Sequence, residues 1–494
     1  MTVIVIFSYL ALVLLIGVAS NRLFRGTGED YFVASRTIGP FFLLMSLFGT
    51  NMTAFAIIGA SGEAYHDGIG VFTLVASSSA LIIPAVFFFV GTRVWALGKK
   101  YGYLTPVQFF RDRWGSDGLG LLLFIVVNAL LIPYLLIGVL GGGITINQIT
   151  QGQIPAWAGA ALVCGVVLLY VYLGGMRGTA WVNTFQTVVF MILGGVTFYV
   201  VVSQLGGLET AMGTIAASNP DLLVRGHHIQ PIQLLTYTCI PLSVGMFPHM
   251  FMHWLTAQRA ESFRYPLIFY PMCIAVVWAP SVLLGVLGNI DFPGLNGPAS
   301  NTVILRLITE HAPTFLAGLL GAGVFAAIMS SLDSQSLSIG SMFTNDIVKH
   351  YGFHDKMSDK QVVLYGRIFV VGILVVTFIL SQISNPSVFA LSVWSFSGFA
   401  ALFPVVFAAL FWKRSTKYGA FASVITVSVL WLTFFIQSGG DRTYKLTENG
   451  VMPVAAMLVA SAIAMIVGSL LTQPPEKERI AKFFPKEKEL SSTS

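Results

Sequence analysis

The chain has 494 residues, of which 55% are hydrophobic and only 10% are charged, and its formal net charge is +6 at pH 7. Soluble domains usually carry about 25% charged residues, so this composition excludes a soluble globular protein and indicates a protein of the lipid bilayer. The basic residues are spread over short segments instead of forming a patch, which argues against a nucleic-acid-binding protein.

The apolar runs are about 20 residues long and do not alternate in polarity, so they predict helices and not barrel strands. The fold class expected is therefore an all-α polytopic membrane protein. Thirteen spans are predicted, near 2–21, 38–60, 69–96, 117–147, 154–173, 179–204, 232–257, 265–289, 313–343, 363–383, 386–412, 417–437 and 451–472.

The positive charges predict the orientation of these spans. If the N-terminus lies outside, the loops and tail on the inside hold 23 of the 27 Lys and Arg residues. Basic residues concentrate on the cytoplasmic side of membrane proteins, so we expect an N-out, C-in topology. The inner membrane of a bacterial cell is the expected location.

The domain organisation expected is one membrane domain over 1–472, followed by a charged cytoplasmic tail over 473–494 that is disordered or lies on the membrane surface. No ATPase or kinase domain is attached, so transport by this chain would draw its energy from an ion gradient.

The second span is interrupted by small and polar residues, "SLFGTNMTAF" at 46–55. A broken helix frees backbone carbonyls that can bind an ion, and its half-helix ends line solute sites near the midplane. The alternative is an ordinary flexible packing segment.

The seventh span contains "MFPHMFMHW" at 246–254. His249 and His253 have the i, i+4 spacing of a metal site, but no acidic or cysteine partner is near in sequence. The pattern favours a helix break at Pro248 that turns polar side chains toward a cavity.

The ninth span contains "AAIMSSLDSQS" at 326–336, an acid and several serines where lipid or a dry core is expected. Ala327, Ser330, Ser331 and Ser334 share one helix face, and Asp333 borders it. Hard oxygen ligands in this pattern suit a small alkali cation. The alternative is that the serines bond back to their own helix and allow close helix packing.

Four motifs occur in the same order as in one transporter family. They are "EDYFVASRTIGPF" (29–41), "YVYLGGMRGTAWVNTFQ" (170–186), "AAIMSSLDSQSLSIGSMFTNDIV" (326–348) and "LFPVVFAALFWKRSTKYGAFAS" (402–423). With them, nearly the whole chain resembles the sodium:solute symporter family, near its proline, pantothenate and monocarboxylate members.

The resemblance implies a LeuT-type fold of two inverted five-helix repeats, over 38–204 and 232–412, with the extra segments 1–37 and 417–472. It also implies a main sodium site between the broken second span and the ninth. Its ligands in this chain would be the carbonyls of Gly49, Met52 and Ala327 and the hydroxyls of Ser330 and Ser331.

This chain departs from the family at one position. Many members have "WTD" where this sequence has "WVN", so Asn183 replaces an aspartate, and Asp333 stands where others have a hydroxyl residue. We hypothesise that the acid has moved across the site and that Asp333, Ser334 and Asn183 bind a second cation or a proton. A purely structural Asp333 is the alternative.

The resemblance also implies a solute pocket beside the two broken spans. Its candidate residues are Asn51, Thr53, Ala54, Thr73, Ser77, Phe251, Trp394, Ser395 and Ser397. These offer few acids and amides, which disfavours a sugar and favours a small carboxylate or amino acid held by a half-helix N-terminus.

Sodium-coupled import of a small organic solute is the function expected, with Na⁺ as the coupling ion and no other cofactor. A sodium/sugar symporter, or a proton-coupled one that uses Asp333, is the alternative within this class. A membrane enzyme or a non-transporting sensor is disfavoured, because the buried polar groups are mostly hydroxyls and amides and no output domain is present. The expected partners are the solute, Na⁺ and the bilayer, with no nucleic acid and no obligate protein partner.

Overall fold

The computed structural model describes residues 2–20, 34–225, 229–352, 359–383, 386–441 and 444–484. The first family-like motif, at 29–41, therefore lies partly outside the described residues. The longer helices are Thr2–Ser20, Pro40–Asn51, Phe55–Asp67, Gly70–Tyr101, Pro106–Trp114, Asp117–Ile149, Ala156–Gln204, Leu208–Ser218, Pro231–Gly245, Pro248–Leu255, Arg264–Asp291, Val303–His311, Thr314–Met342, Asp359–Ile383, Val388–Ala401, Phe403–Phe411, Lys417–Ser438, Pro453–Leu470 and Lys477–Phe483.

The described residues are helical, and many of the helices are long and apolar enough to cross a bilayer. Nine qualify singly, and up to eleven if each of two bent pairs counts as one span. Two shorter apolar helices, Thr2–Gly17 and Ala156–Leu169, lie where the first and fifth spans are predicted. The count of thirteen and the orientation of the termini remain predictions.

The fifth and sixth predicted spans lie in one stretch of helical hydrogen bonding, Ala156–Gln204. Gly159 packs against Ile146, near the end of the Asp117–Ile149 helix. Leu193 packs against Gly323, and Gly323 lies next to that same end. A straight helix would separate positions 159 and 193 by about 50 Å. The chain direction therefore reverses within this stretch, although the loop expected from the sequence is replaced by continuous helical bonding.

Two spans are broken, at the positions that the sequence predicts. In the first broken span, Pro40–Asn51 and Phe55–Asp67 meet at 59°. In the second broken span, Pro231–Gly245 and Pro248–Leu255 meet at 51°. Proline opens both halves of the second span, where a missing N–H costs nothing.

The two broken spans are tied together at one end. The Ile38 N–H donates to the Thr256 carbonyl at 3.0 Å, and the Gln258 N–H donates to the Ile38 carbonyl at 3.0 Å. The segment that enters the first broken span thus pairs with the segment that leaves the second. The spans run antiparallel, with their breaks at a similar depth.

The most enclosed membrane helix is Thr314–Met342, here called the serine helix. All residues from Leu320 to Ile339 are buried, including every serine of the predicted cation face. Small residues on both sides let neighbouring backbones approach closely: a Cβ on Gly138 would already touch Leu332, and one on Gly323 would clash with Leu193. This packing holds the serine helix tightly between the Asp117–Ile149 and Ala156–Gln204 helices.

The predicted free tail is ordered in part. Its helix Lys477–Phe483 docks on the short helix Pro106–Trp114, with Phe483 only 4% exposed. The Phe483 ring lies 5.4 Å from that of Phe109 and 6.3 Å from that of Tyr103, and Lys482 contacts the Asp112 carboxylate. The expectation of a disordered tail is wrong for Lys477–Phe483, because this segment forms a helix that Phe483 anchors to the protein.

Arg113 lies beside the surface on which the tail helix docks. Its guanidinium donates to the carbonyls of Ala409 and Trp412 and to the Ser415 hydroxyl, and it lies 5.7 Å from the Phe483 ring. Burial lowers the pKa of Arg113 to about 10, so the group stays charged at neutral pH. Its charge is well placed at the C-terminal end of Phe403–Phe411.

We predict that Phe483→Ala releases the tail helix without unfolding the membrane domain. Loss of a buried phenylalanine costs about 3–5 kcal/mol, more than a docked single helix of this length can lose and stay bound. Hydrogen exchange over 477–483 should accelerate at least tenfold, while the Tm of the detergent-solubilised protein stays the same. The exposed Glu478→Ala is the control; equal exchange in both variants would contradict the anchoring role of Phe483.

Candidate functional site

The site begins with the break in the first broken span. Met52 takes an extended backbone conformation, with φ −85° and ψ 97°, and so ends the first half-helix. A helix that stops here leaves its last carbonyls without intrahelical donors. The Ser330 hydroxyl of the serine helix donates to one of them, Gly49 O, at 2.8 Å, and also lies 3.0 Å from Ala327 O.

Three of the five predicted sodium ligands therefore meet in a fully buried position. The carbonyl oxygens of Gly49 and Ala327 each lie within hydrogen-bond distance of the Ser330 hydroxyl oxygen. This is an arrangement of hard, neutral oxygen atoms. A cation placed there would take the position of the Ser330 hydroxyl proton, and the two carbonyl oxygens would then face the cation.

Gly49 is required by close packing. A Cβ at this position would lie 2.0 Å from the Thr187 hydroxyl, which donates to the carbonyls of Met45 and Asn183. Thr187 thus closes the site from the Ala156–Gln204 helix and adds another hydroxyl beside Gly49.

The other two predicted ligands are near but not engaged. Met52 sits at the break itself, and its N–H donates to Phe48 O. The Ser331 hydroxyl donates to Ile328 O of its own helix at 3.0 Å. Ser336, Ser338 and Ser341 also bond back to their own helix. These serines therefore fit the alternative in which serines bond back to their own helix and allow close packing. Ser330 differs, because its hydroxyl links the serine helix to the first broken span.

The three residues of the predicted second cation site are linked by hydrogen bonds. Asn183 Nδ2 donates to the Ser334 hydroxyl at 2.8 Å, and Ser334 Oγ donates to Asp333 Oδ1 at 3.0 Å. All three residues are at most 1% exposed. The structure thus brings together the two positions at which this chain departs from the family pattern.

His253 completes this network and is absent from the predicted site. Its Nε2 lies 3.2 Å from Ser334 Oγ and its Nδ1 lies 2.9 Å from Ser46 Oγ. The imidazole therefore connects the second broken span to the serine helix and to the first broken span. The i, i+4 spacing of His249 and His253 drew attention to this residue, but only the fold shows that it faces Ser334.

The alternative of a histidine metal site gains no support. In the part of the chain that the structure describes, no three His, Cys, Asp or Glu residues are grouped to hold a metal ion. The His253 ring nitrogens face serine hydroxyls instead.

A small cavity of about 30 Å³ lies between the two breaks. Of the predicted solute residues it contains Asn51, whose Nδ2 donates to the Tyr270 hydroxyl at 2.7 Å. Most of its wall was missed by the sequence analysis: Phe55, Ser79, Tyr237, Phe247, Trp278 and Phe396. The cavity holds about one or two water molecules, so a solute would need these side chains to move apart.

The remaining predicted solute residues lie elsewhere. Thr53 accepts from the Phe55 N–H, and Ala54 packs on Gly141. Thr73 is half-buried outside the cavity wall, and Ser77 is exposed. Phe251 packs on Phe109, Trp394 on Phe435, and Ser395 bonds to Leu130 O, while Ser397 is buried off the wall.

Two of the helices that line the cavity contain irregular turns. Residues Thr73–Ser77 and Phe55–Gly59 form π-helical turns. Such turns change which residues face inward, and beyond the turn at Thr73–Ser77 it is Ser79 that lines the cavity, whereas Ser77 is exposed. Phe396 lines the cavity, whereas the sequence predicts solute contacts for its two neighbours, Ser395 and Ser397.

Comparison with known proteins identifies the family. The profile of the sodium:solute symporter family matches residues 31–426. The high-affinity proline transporter PutP of Bacillus subtilis is 25% identical, over 91% of this chain and 93% of its own. The sodium/pantothenate symporter of Escherichia coli is 26% identical, over 94% of this chain and 95% of its own.

Solved structures show the fold. A Na⁺-coupled sialic acid symporter in a substrate-bound outward-open state has a TM-score of 0.76 and 17% identity, covering 96% of this chain and 99% of its own. Mhp1, a nucleobase-cation-symport-1 family transporter, has a TM-score of 0.58 and 14% identity, covering 92% and 99%. The helices of this chain therefore adopt the LeuT-type transporter fold.

We predict that Gly49→Ala destabilises the protein through the Thr187 hydroxyl. Overpacking of this kind costs about 1–3 kcal/mol, which should lower the Tm measurably. Thr187→Ala removes the obstructing oxygen, so the double variant should recover most of the loss. Gly195→Ala, where a Cβ meets nothing within 4 Å, is the matched control. Additive losses in the double variant would show that the contact is not the cause.

Proposed function

Because the chain belongs to the sodium:solute symporter family, we propose that it is a sodium-coupled symporter that imports a small organic solute. The observation that carries the proposal is the Ser330 hydroxyl, which joins the Gly49 carbonyl at the helix break to the Ala327 carbonyl of the serine helix. An ion bound here would connect two helices that a transporter must hold together in one state and separate in another.

The proposed sodium ligands are Gly49, Met52, Ala327, Ser330 and Ser331. The first broken span already presents Gly49 O, and small rotations of Met52 and Ser331 would complete the set. All five ligands are neutral, which suits an ion that is bound from a high outside concentration and released inside. Sodium binding would stabilise the outward-open state, since only there are both ligand sets aligned.

The transport direction follows from the proposed topology. With the N-terminus outside and the C-terminus inside, downhill sodium entry would drive solute uptake across a bacterial inner membrane. The proposed inverted repeats, 38–204 and 232–412, would each begin with one broken span. The two breaks would then face each other near the midplane, on either side of the solute.

The proposed solute is a small carboxylate or amino acid. Relatives include proline and pantothenate symporters, both of which are named for carboxylate solutes. The cavity between the breaks has an aromatic wall with a single amide, Asn51, and no charged side chain. A sodium/sugar symporter is the second candidate, but this wall offers few of the acid and amide groups that bind sugar hydroxyls.

Other classes have less support. Members of the family are transporters and not enzymes, which fits the absence of any proposed catalytic residue. A non-transporting sensor would need an output domain, for which the described residues provide no candidate. We propose no obligate protein partner and no cofactor other than Na⁺.

The first test is uptake by purified protein in potassium-loaded liposomes. A mixture of amino acids, monocarboxylates, pantothenate, sugars and nucleosides is supplied outside with sodium or choline, and the solutes that accumulate are read by mass spectrometry. We expect a carboxylate or amino acid to accumulate only with sodium. Ser330→Ala should raise the sodium concentration for half-maximal uptake at least tenfold, whereas Ser341→Ala, whose hydroxyl bonds back to Leu337 O, should not.

Two results would contradict the proposal. No accumulation under a sodium gradient would remove the symport function. An equal effect of Ser330→Ala and Ser341→Ala would show that Ser330 acts only through helix packing.

Asp333 distinguishes a second coupled cation or proton from a structural acid. A carboxylate inside a membrane span costs at least about 2.5 kcal/mol to insert, so its retention calls for a role. We predict that Asp333→Asn, which keeps the shape, changes the number of cations carried per solute. The ratio is measured from the reversal potential of uptake in proteoliposomes. An unchanged ratio and sodium affinity would leave only the structural role.

A further inference from the structure

The tail helix has no part in the sites above, yet it lies across the junction between two other helices. On one side of this junction is the end of Gly70–Tyr101, where the Tyr101 hydroxyl donates to the Lys482 carbonyl at 3.1 Å. On the other side is the short helix Pro106–Trp114, whose Asp112 carboxylate contacts the Lys482 ammonium. The tail helix thus fastens the two helices to each other.

The junction contains a glycine that is suited to a hinge. Gly102 has the left-handed conformation, with φ 75°, and a Cβ there would meet nothing within 4 Å. Glycine tolerates the backbone changes that a hinge must absorb. Phe483 of the tail helix packs on Tyr103, just after this glycine, and on Phe109 of the short helix. The docked tail therefore restrains the angle between the two helices.

The short helix covers the end of the second broken span. The rings of Phe109 and Phe110 lie 5.6 and 6.5 Å from that of Phe251, between centroids. Phe251 belongs to the half-helix Pro248–Leu255. Because Phe109 also contacts Phe483, a row of three rings leads from the tail to the broken span. Movement of this half-helix relative to the short helix would disrupt the row.

The short helix is bonded to the serine helix as well. Asp346 is fully buried in the π-helical turn Phe343–Lys349, which continues the serine helix. The Thr105 hydroxyl donates to Asp346 Oδ2 at 2.8 Å, and Arg111 Nη2 donates to the Asp346 carbonyl at 3.1 Å. Arg111 Nη1 lies 3.6 Å from Asp346 Oδ1. Separation of this buried pair would leave a charge without its partner, so we expect the short helix to move with the serine helix.

The Gly70–Tyr101 helix is instead bonded to the broken spans. Trp95 Nε1 donates to the Ala257 carbonyl at 2.7 Å, at the point where Ala257 pairs with Ile38 of the first broken span. The proposed sodium site lies between the broken spans and the serine helix, so release of the ion toward this end requires these two groups of helices to part. The tail helix is fastened to both groups.

We infer that the docked tail helix is a brake on opening toward the cytoplasm, and that its release shifts the protein toward the cytoplasm-open state. This inference rests on the proposed symport function and topology, and it adds to them a means of regulating ion release. Docking and opening require different arrangements of the same helices, so each disfavours the other to the same degree. In the described structure the tail is docked and the ends of the two broken spans are paired, as the inference requires.

The test measures how readily one buried position at this end becomes exposed. Ala257 is 0% exposed where the two broken spans pair, so Ala257→Cys, in a chain whose three native cysteines are replaced by alanine, reports opening through its reaction with a maleimide. Phe483→Ala removes the aromatic anchor, and Lys482→Gln removes the contact with Asp112. Lys477→Gln, at an exposed position of the same helix, is the control matched in charge. Labelling is followed in detergent, without solute and without sodium.

We expect Phe483→Ala to accelerate the labelling about tenfold, a usual size for the coupling of two sites, with the Tm unchanged. Lys482→Gln should accelerate it less, because its ion pair is partly exposed and such pairs contribute little, and Lys477→Gln should leave it unchanged. In sodium-driven proteoliposomes, Phe483→Ala should also raise the external sodium concentration for half-maximal uptake, because fewer molecules then face outward.

The outcomes separate this inference from the proposed function. Unchanged labelling in Phe483→Ala, together with accelerated hydrogen exchange over 477–483, would overturn the inference, because the tail would then leave without any opening. Equal acceleration in Phe483→Ala and Lys477→Gln would overturn it too. If Phe483→Ala keeps its tail docked or lowers the Tm, a chain that ends at Gln473 and lacks the tail helix decides by the same labelling rate. The labelling needs no solute, so absence of sodium-driven accumulation would overturn the symport function alone.

Discussion

The interaction on which the site depends is the hydrogen bond from the Ser330 hydroxyl to the Gly49 carbonyl. It exists because the first broken span stops at Met52 and leaves a carbonyl that no helical N–H can reach. In a bilayer such a group cannot be left to solvent, so another element must supply its partner. A continuous helix through 40–67 would satisfy Gly49 internally and would remove the reason for a serine at the facing position.

The same constraint explains why so many polar residues lie in the most buried helix. Serine hydroxyls that bond back to their own helix cost little and keep the surface small, which allows neighbouring backbones to approach. Glycines on the facing helices have the same effect, as at Gly49, where Thr187 occupies the space of a side chain. Close packing then brings a few hydroxyls within hydrogen-bond distance of a carbonyl on another helix, and these few are the functional candidates.

The hydrogen bonds around Ser334 connect the spans at a second buried position. Asn183, His253 and Asp333 all reach one hydroxyl, so three spans share a single buried point. Movement of the serine helix relative to the other two spans would break the bonds that Asn183 and His253 make with Ser334.

The sequence by itself determined the helical membrane class, both helix breaks and the buried serine face of the ninth span, because hydrophobic length, proline, glycine and 3.6-residue spacing act locally. Ser330 and Asp333 could be named for this reason, whereas Asn183 was named through the resemblance to the family. Only the tertiary structure decided which side chains face the cavity, since π turns rotate the helices after them and neighbouring spans choose the face that is enclosed. Ser79, Phe247, Trp278 and Phe396 were therefore missed, while the predicted solute residues Ser77 and Trp394 lie outside the wall of the described cavity. The docked tail was missed for the same reason, because one buried phenylalanine in a charged segment has no meaning until its partners are in place.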